Sequence, residues 1–330
     1  MEAEVIQMLD VRDARLNSLR RELARLIAAA VPEEGRRETA VPGLMLVRRV
    51  RPTAPMPVCY EPGLALVAQG RKELELPVRT LSYDASRFLI TSLDLPVLSR
   101  VVEASPERPY LCMLLRLDMQ VVRELLALGE IAPARLEDGA DAMAVGETTP
   151  ELLDACCRLV RLLERPQDIP FLSPLLQREI IYRILQSPAG ARLRDIATIG
   201  SHGHRMARVI DWIRENYMRP VRVEDLARMA AMGLSTFHHH FRALMAMSPL
   251  QYVKQVRLQA ARELILGGGM DAASAAFAVG YQSPSQFSRE YKRYFGVPPS
   301  QHLAAVRPAG TAAAPARTRF ASVRPDVRLA

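Results

Sequence analysis

The sequence predicts an α+β protein, in which an N-terminal β-barrel or sandwich with flanking helices precedes an all-α domain. Three observations predict this class. Short apolar runs punctuated by proline and glycine occupy residues 44–118, a texture typical of short strands. Helical periodicity dominates from Met206 to Arg307. Within that stretch, one plan of two short helices occurs twice.

The N-terminal elements can be justified in chain order. Apolar residues at helical spacing predict an amphipathic helix over residues 5–30, which "VPEEGRR" ends. Residues 1–37 are therefore assigned to this helix and its lead-in. Strands are predicted at "LMLVRRV", "LALVAQG", "KELELP", "RFLITS", "VLSRVVEA" and "YLCMLLRLD". Helices are predicted at 119–128, 150–163 and 173–186.

These elements and the changes in composition predict the domain boundaries. The strands and the helices after them form a domain of residues 38–187, and residues 188–204 form a linker. The helical domain covers residues 205–307. Residues 308–330 are rich in Ala, Pro and Arg and have few large apolar side chains, so we expect a disordered tail.

Basic charge is concentrated at the C-terminal end. The formal net charge is +8, and residues 205–307 contain 14 Lys or Arg against 7 Asp or Glu. The tail adds four arginines and one aspartate, which leaves the first 204 residues slightly acidic. This asymmetry predicts a polyanionic partner for the C-terminal domain and a separate task for the rest. The alternative is a solvated basic surface without a partner.

The four cysteines, at positions 59, 112, 156 and 157, lack the spacing of a disulfide framework or a CxxC metal site. Buried thiols are expected, with a redox sensor as the alternative. No apolar run approaches the roughly 20 residues of a membrane span. The N-terminus is charged throughout and unlike a signal peptide, so a cytoplasmic protein is expected.

The repeated plan reads "VEDLARMAAMGLSTFHHHFRALM" and "DAASAAFAVGYQSPSQFSREYKRYFG", at about residues 223–245 and 271–296. Each copy has a short alanine-rich helix, a tight turn and a second helix with aromatic residues four apart. The aromatic pairs, Phe237 with Phe241 and Phe287 with Tyr291, are 50 residues out of phase. They are expected to hold the second helix against the first and to leave its other face free. This is the plan of a helix-turn-helix, whose second helix enters a DNA major groove.

A linker helix is predicted between the copies. Ser248 is a natural N-cap, Pro249 suits the first helical position, and the glycines from Gly267 end the helix. From Pro249 to Leu266 such a helix spans roughly 27 Å at 1.5 Å per residue. It can hold two reading helices about one DNA turn, near 34 Å, apart on one face of a duplex.

The sequence resembles the AraC/XylS family of bacterial transcription regulators. The strings that carry the resemblance are "ARVIDWIRENY", "DLARMA…STFHHHFRAL", "MSPLQYVKQVRLQAAREL" and above all "VGYQSPSQFSREYKRYFGVPP". In the N-terminal part, "PTAPMPVCYEPGLALVAQGRK", "SLDLPV" and "EASPERPYL" are similar to a subclass with a cupin-like regulatory domain. The resemblance spans residues 38–307. It implies a cupin-like domain for effector binding or dimerisation, double-stranded DNA as partner, a homodimer, an unknown small-molecule effector, and RNA polymerase as a further partner.

The resemblance also implies the DNA contacts, position by position. In the first unit, base-reading positions fall on Ser235, His238 and His239, with Thr236 and Arg242 nearer the phosphates. His239 stands where many relatives carry arginine, and Gly233 where they often have a capping serine. In the second unit the matching positions are Ser285, Gln286, Ser288 and Arg289, with Lys292 towards the backbone.

Two of these side chains have alternative roles. Gln286 either reads adenine or folds back on Ser283 in a capping box. The histidine pair His238 and His239 either touches DNA or lies on a solvated face, while His240 falls beside the packing side and has no predicted role. Three adjacent imidazoles diverge by about 100° each, so they cannot converge on one metal.

Two rival functions can be weighed. Cupin-like barrels often house metal enzymes, whose sites need imidazole ligands, but the first histidine is His202, in the predicted linker. No enzyme, catalytic residue or cofactor is therefore predicted. The second rival is an architectural DNA coater with phosphate contacts only. The residues Met45, Phe88, Tyr110 and Met113 either line an effector pocket or fill a core, and neither the effector nor the choice between activation and repression is predicted.

Overall fold

The computed structural model describes residues 2–76, 79–132, 142–268 and 270–306. The chain divides into two compact units, Met1–Gln259 and Ala260–Ala330. The division falls inside a helix that the sequence predicts as the linker between the two repeats. The predicted tail at 308–330 lies outside the described residues.

The first unit begins with helix α1 (Glu2–Ala30), in agreement with the predicted amphipathic helix. Strands follow as β1 (Gly35–Glu38), β2 (Leu44–Arg49), β3 (Met56–Tyr60), β4 (Gly63–Gln69), β5 (Arg71–Glu75), β6 (Thr80–Asp84), β7 (Arg87–Thr91), β8 (Leu95–Glu103), β9 (Tyr110–Arg116) and, after helix α2 (Met119–Ala127), β10 (Met143–Glu147). They form two antiparallel sheets, with the strand orders β1-β2-β9-β4-β7-β10 and β3-β8-β5-β6. The predicted α+β class with an N-terminal sandwich is confirmed.

Both faces of the larger sheet are buried, and alternation along each strand separates two cores. On β9, Leu111 and Met113 belong to a core shared with helices, while Tyr110 and Cys112 belong to the core between the sheets. All four residues predicted to line a pocket or fill a core are buried, and three of them separate between the two cores. Phe88 and Met113 face the helices and Tyr110 faces the second sheet, so they do not line one pocket.

The chain passes from the larger to the smaller sheet between β4 and β5 at Gly70. Its φ of +85° lies in the left-handed region, and an added Cβ would come within 2.5 Å of the Glu103 carbonyl oxygen. Only glycine meets both demands without strain. This one residue fixes the crossing that places β5 in the smaller sheet.

Helices cover the outer face of the larger sheet. They are α1, α3 (Pro150–Arg161) and α4 (Ile169–Gln186). Thr149 caps α3 by accepting a hydrogen bond from the Leu152 backbone N–H, and Pro150 occupies the first turn. The helix α4 begins at Ile169, earlier than the predicted Ser173, and carries Pro174 inside it.

The predicted linker at 188–204 is largely helical. It contains a 3-10 turn at Pro188–Gly190 and helix α5 (Ala191–Ala197), and α6 (His202–Asn216) begins within it. The remaining helices are α7 (Val223–Met229), α8 (Leu234–Met245), α9 (Pro249–Gly268), α10 (Ala272–Ala278), α11 (Pro284–Phe295) and α12 (Pro299–Val306). At the start of α9, Ser248 and Gln251 exchange both hydrogen bonds of a capping box.

Candidate DNA-binding surface

The helix pair α7–α8 forms the first copy of the repeated plan. Phe237 and Phe241 are fully buried, with ring centroids 5.6 Å apart. They pack in one core with Leu226 and Ala227 of α7 and with Ala230, which follows α7. The sequence prediction that the aromatic pair fixes the second helix against the first is confirmed.

The pair α10–α11 forms the second copy and repeats this packing. Phe287 and Tyr291 are fully buried, and their ring centroids lie 5.3 Å apart. Tyr281, in the turn, packs edge-on against Phe287 and donates its hydroxyl hydrogen bond to Glu290. Because both aromatic residues of α11 face inward, the opposite face of the helix stays accessible.

The turns between the helices have the same backbone. In the first copy the Met232 N–H bonds to the Ala227 carbonyl at 3.0 Å, and Ala231 adopts a φ of 51°. In the second copy the Tyr281 N–H bonds to the Ala276 carbonyl at 3.0 Å, and Gly280 adopts a φ of 88°. Both are Schellman-type helix ends, in which one left-handed residue reverses the chain.

The predicted contact residues of the first copy lie together on α8. Ser235, Thr236, His239 and Arg242 are exposed, and His238 is half-buried beside the Phe237 ring. Four of these five side chains, Ser235, His238, His239 and Arg242, line one shallow depression with Ala243. Arg242 forms no ion pair within the described part of the chain, so its guanidinium group is available to an anion.

The predicted contact residues of the second copy lie on one face of α11. Ser285, Gln286, Arg289 and Lys292 are exposed, and Ser288 is half-buried. Neither Arg289 nor Lys292 has an acidic partner among the residues that the structure describes. Arg293, which was not among the predicted residues, is a third exposed cation on this helix. Its position next to Lys292 was the signal available in the sequence.

The structure bears on one of the two alternatives for Gln286, the capping box with Ser283. Ser283 caps α11, since its hydroxyl accepts from the Gln286 backbone N–H at 3.3 Å. The Gln286 side chain does not return to Ser283. Its amide donates instead to the Glu290 carboxylate at 3.1 Å, so it stands on the exposed side of the helix.

The three histidines of α8 have separate environments. His239 is exposed, whereas His240 is half-buried and stacks on His202 of α6, with ring centroids 4.9 Å apart. Burial, then the neighbouring His202 and His239, lowers the pKa of His240. Among the described residues, no group of three or more His, Cys, Asp or Glu side chains is arranged to hold a metal ion.

The first copy is also tied to the sandwich within its own unit. The Arg214 guanidinium group of α6 forms an ion pair with Asp94, which is buried before β8. The hydroxyl of Tyr252 on α9 donates to the Asp94 carbonyl at 3.0 Å. In addition, the Ala142 N–H bonds to the Leu244 carbonyl at the end of α8, also at 3.0 Å. No local pattern of residues indicates these long-range contacts.

The carboxyl groups around Arg214 have raised pKa values. The pKa of Glu61 is raised to about 7, mainly by burial and next by the nearby Asp94, whereas Arg214 and Arg116 oppose the shift. Burial also raises the pKa of Asp94 and of Asp211. The Arg214 guanidinium group, 3.6 Å from Glu61, is therefore the main compensating charge in this cluster.

The fold and this surface define the protein as a β-sandwich domain followed by a pair of helix-turn-helix units. A family model described as AraC-type transcriptional regulator N-terminus matches residues 40–192, and a model described as helix-turn-helix domain matches residues 226–305. The chain thus combines an AraC-type N-terminal domain with a helix-turn-helix domain, and its homologues are regulators of the AraC family.

Curated relatives agree with this assignment. The virulence regulon transcriptional activator VirF of Yersinia enterocolitica is 30% identical over 154 residues, which cover 46% of this chain and 56% of VirF. The HTH-type transcriptional regulator ExsA of Pseudomonas aeruginosa is 27% identical over 167 residues, 51% of this chain and 59% of ExsA. The chain thus spans somewhat more than half the length of these relatives.

Solved structures of ToxT from Vibrio cholerae share the fold. One, at 12% identity, covers 80% of this chain and 99% of ToxT with a TM-score of 0.54. A second, described as unsaturated fatty acid bound wild-type ToxT, covers 80% of this chain and 95% of ToxT with a TM-score of 0.53, again at 12% identity. None of the described helices has both the length and the apolar character of a membrane span.

Proposed function

We propose that the protein regulates transcription by binding specific DNA sequences through its two helix-turn-helix units, under the control of a small-molecule effector in the sandwich domain. The observation that carries this proposal is the repeated helix pair. In both copies the second helix is anchored by two buried aromatic residues and turns an exposed basic face outward. An α-helix presented in this way fits the DNA major groove.

The contacts are assigned from the exposed faces of α8 and α11. Base contacts are assigned to Ser235, His238 and His239 in the first copy and to Ser285, Gln286, Ser288 and Arg289 in the second. Phosphate contacts are assigned to Thr236, Arg242 and Lys292, to which we add Arg293. The guanidinium group of Arg289 can bind the O6 and N7 atoms of guanine with two hydrogen bonds, which an imidazole cannot do.

The proposed domains keep the predicted limits, with a regulatory domain at 38–187, a linker at 188–204 and the DNA-binding domain at 205–307. The relative VirF is described as a transcriptional activator, which favours activation, with RNA polymerase as a further partner. Action on genomic DNA also places the protein in the cytoplasm. The effector class favoured by the fatty acid bound to ToxT is an amphipathic carboxylate.

Dimerisation is proposed through helix α4. Its inner face is buried in the helix-covered core, yet its outer face also carries apolar residues, with Phe171 75% and Leu175 63% exposed. Leu172 and Tyr182 extend this stripe. A second copy of the chain would cover it, because the same stripe on both partners makes a two-fold interface.

The dimer can be tested with Leu175→Asp. The variant is expected to sediment as a monomer at a concentration where the parent protein is a dimer. Leu128→Asp is the matched control, because Leu128 is a leucine of nearly equal exposure, 64%, outside the stripe. A dimeric Leu175→Asp protein, or a monomeric Leu128→Asp protein, would exclude this interface.

DNA binding is tested by selecting bound fragments from the source genome and measuring their competition with unrelated DNA at fixed salt. A specific regulator is expected to prefer its site by at least about 10³-fold. Equal competition by unrelated DNA, with a uniform decrease of affinity as salt rises, would favour the architectural alternative instead.

A further inference from the structure

Lys72 lies on the inner face of the smaller sheet. On β5 it stands opposite Tyr83 of β6 and Val101 of β8, and residues paired in this way project to the same side of an antiparallel sheet. Tyr83 and Val101 are buried in the core between the sheets, together with Val67 and Cys112 of the larger sheet. The side chain of Lys72 is therefore directed between two apolar layers.

This ammonium group has phenols for neighbours. It donates to the Tyr60 hydroxyl at 2.5 Å and lies 5.2 Å from the centroid of the Tyr60 ring. Within the described ranges, Lys72 forms no ion pair with a carboxylate. Lys72 is half-buried, and a partly desolvated ammonium group without a counter-ion is destabilising unless something else supplies negative charge.

Two buried phenols lie next to it. Tyr83 and Tyr110 are about 1% exposed. The Tyr83 hydroxyl approaches that of Tyr60, and the Tyr110 hydroxyl approaches the Cys112 thiol, but neither contact has the geometry of a full hydrogen bond. A poorly satisfied donor is destabilising in a protein interior, by up to about 1–3 kcal/mol where no acceptor is present. Burial raises the pKa of both phenols well above the usual value, so both keep their protons as donors.

The charged groups that act on this cluster are basic. Burial raises the pKa of Tyr110 and of Cys112; Arg36 of β1 opposes the rise at both groups, and Lys72 opposes it at Cys112. The Lys72 cluster, defined as Lys72, Tyr60, Tyr83, Tyr110 and Cys112, thus offers an ammonium group and hydroxyl donors inside an apolar wall. Within the described part of the chain, no carboxylate accepts from these donors.

We infer that the Lys72 cluster is the effector site, and that it takes a compact monocarboxylate, whose carboxylate accepts from Lys72 and from a buried phenol while its apolar body packs between the sheets. This inference rests on the proposed function, because it gives the regulatory domain its ligand class. A carboxylate fits because its two oxygens can accept several hydrogen bonds at once.

The test compares sodium hexanoate and sodium benzoate with hexanamide and benzamide on the full chain, by calorimetric titration. At least one carboxylate is expected to bind tenfold or more tightly than its amide. Lys72→Met should weaken that binding at least tenfold, and Lys72→Arg should retain part of it. Arg71→Met is the matched control. Arg71 lies next to Lys72 on β5, and it forms an ion pair with Glu103 of β8 in which both side chains are substantially exposed.

Tyr83→Phe guards against variants that merely fail to fold. Removing an unsatisfied hydroxyl should leave the melting temperature of the ligand-free protein equal or higher, while carboxylate affinity falls about fivefold. The inference is overturned if no carboxylate outbinds its amide, or if Arg71→Met weakens binding as much as Lys72→Met. DNA binding by the same ligand-free preparations separates the two proposals. Normal operator affinity without carboxylate binding would overturn only the effector site. A parent protein that shows no preference for its operator would overturn the proposed function.

Discussion

The two helix-turn-helix units share one backbone plan but differ in how they are built. In the first unit the left-handed positions are alanines, at φ 51° for Ala231 and 56° for Ala246, whereas the second unit has glycines there, Gly280 and Gly296. The reading helix of the first unit begins at Gly233 without a side-chain cap, and that of the second begins at the capping residue Ser283.

Charge and attachment differ as well. The exposed cations of α11 are Arg289, Lys292 and Arg293, whereas α8 presents Arg242 beside two histidines. The first helix-turn-helix unit lies in the same compact part of the chain as the sandwich, residues 1–259, and contacts between neighbouring helices and Asp94 attach it there. The same fold is thus specialised by its side chains: α11 presents more exposed cations, whereas α8 carries a backbone contact with the sandwich domain.

The largest effect is expected from Arg214→Met, which breaks the attachment of the first unit. Asp94, whose side chain is 4% exposed, would be left buried without its partner. We expect unfolding free energy to fall by about 2–3 kcal/mol, less than the 3–5 kcal/mol typical of a fully buried pair because Arg214 is partly exposed. Urea denaturation measures this. An unchanged midpoint would mean that the ion pair does not hold the first unit in place.

Glu61→Gln tests the same cluster through the pH dependence of stability. The pKa of Glu61 is raised in the folded protein to about 7 from 4.5, so its stabilising contribution is complete below pH 4.5 and is lost as pH rises through 7. The parent protein should therefore lose about 2 kcal/mol relative to Glu61→Gln between pH 5 and pH 8. Parallel pH profiles for the two proteins would contradict this.

Arg289→Ala tests whether the second unit dominates DNA affinity. It is expected to cost about 1–3 kcal/mol of specific binding and to relax the preference at one base position. His239→Ala, at the matching position of the first unit, should cost less than about 1 kcal/mol, because an imidazole makes a single hydrogen bond to a base where a guanidinium group makes two. Fluorescence anisotropy with the selected operator measures both. Equal losses would remove the proposed asymmetry.

Exchanging the helix-ending residues tests backbone strain. An added Cβ at Gly296 meets nothing within 4 Å, so Gly296→Ala reports the conformational cost alone, which we expect to be about 1 kcal/mol. Ala246→Gly relieves strain but increases the entropy of the unfolded chain, and should change stability by only a few tenths of a kcal/mol. A destabilised Ala246→Gly protein together with an unaffected Gly296→Ala protein would reverse this ordering.

Effects of similar, small size are expected at the helix caps. Gly233 has extended backbone and open space for a Cβ, so Gly233→Ser should stabilise the first unit by a few tenths of a kcal/mol through a new cap. Ser283→Ala should cost the second unit about 1 kcal/mol. Thermal unfolding checks both variants, and a loss on Gly233→Ser would show that the glycine is required for another reason.

The strands show where sequence patterns lose their information. Residue patterns predicted the six interior strands β2, β4, β5, β7, β8 and β9 and missed β1, β3, β6 and β10, which are the edges of the two sheets. An edge strand has one neighbour and needs fewer apolar residues, as "GRRE" and "TLSYD" illustrate. The pairing that turns such segments into strands is supplied by another part of the chain.

By itself, the sequence determined the α+β class and the two helix-turn-helix units, because aromatic spacing, caps and turn residues act over a few positions. The exposed cations of the reading helices follow from the same spacing, since burying one face of a helix exposes the other. Only the tertiary structure decided that Asp94 meets Arg214 and Tyr252, and that Lys72 is directed between two sheets. Those contacts join residues as many as 158 positions apart, and they depend on which strands pair, which no local pattern of residues records.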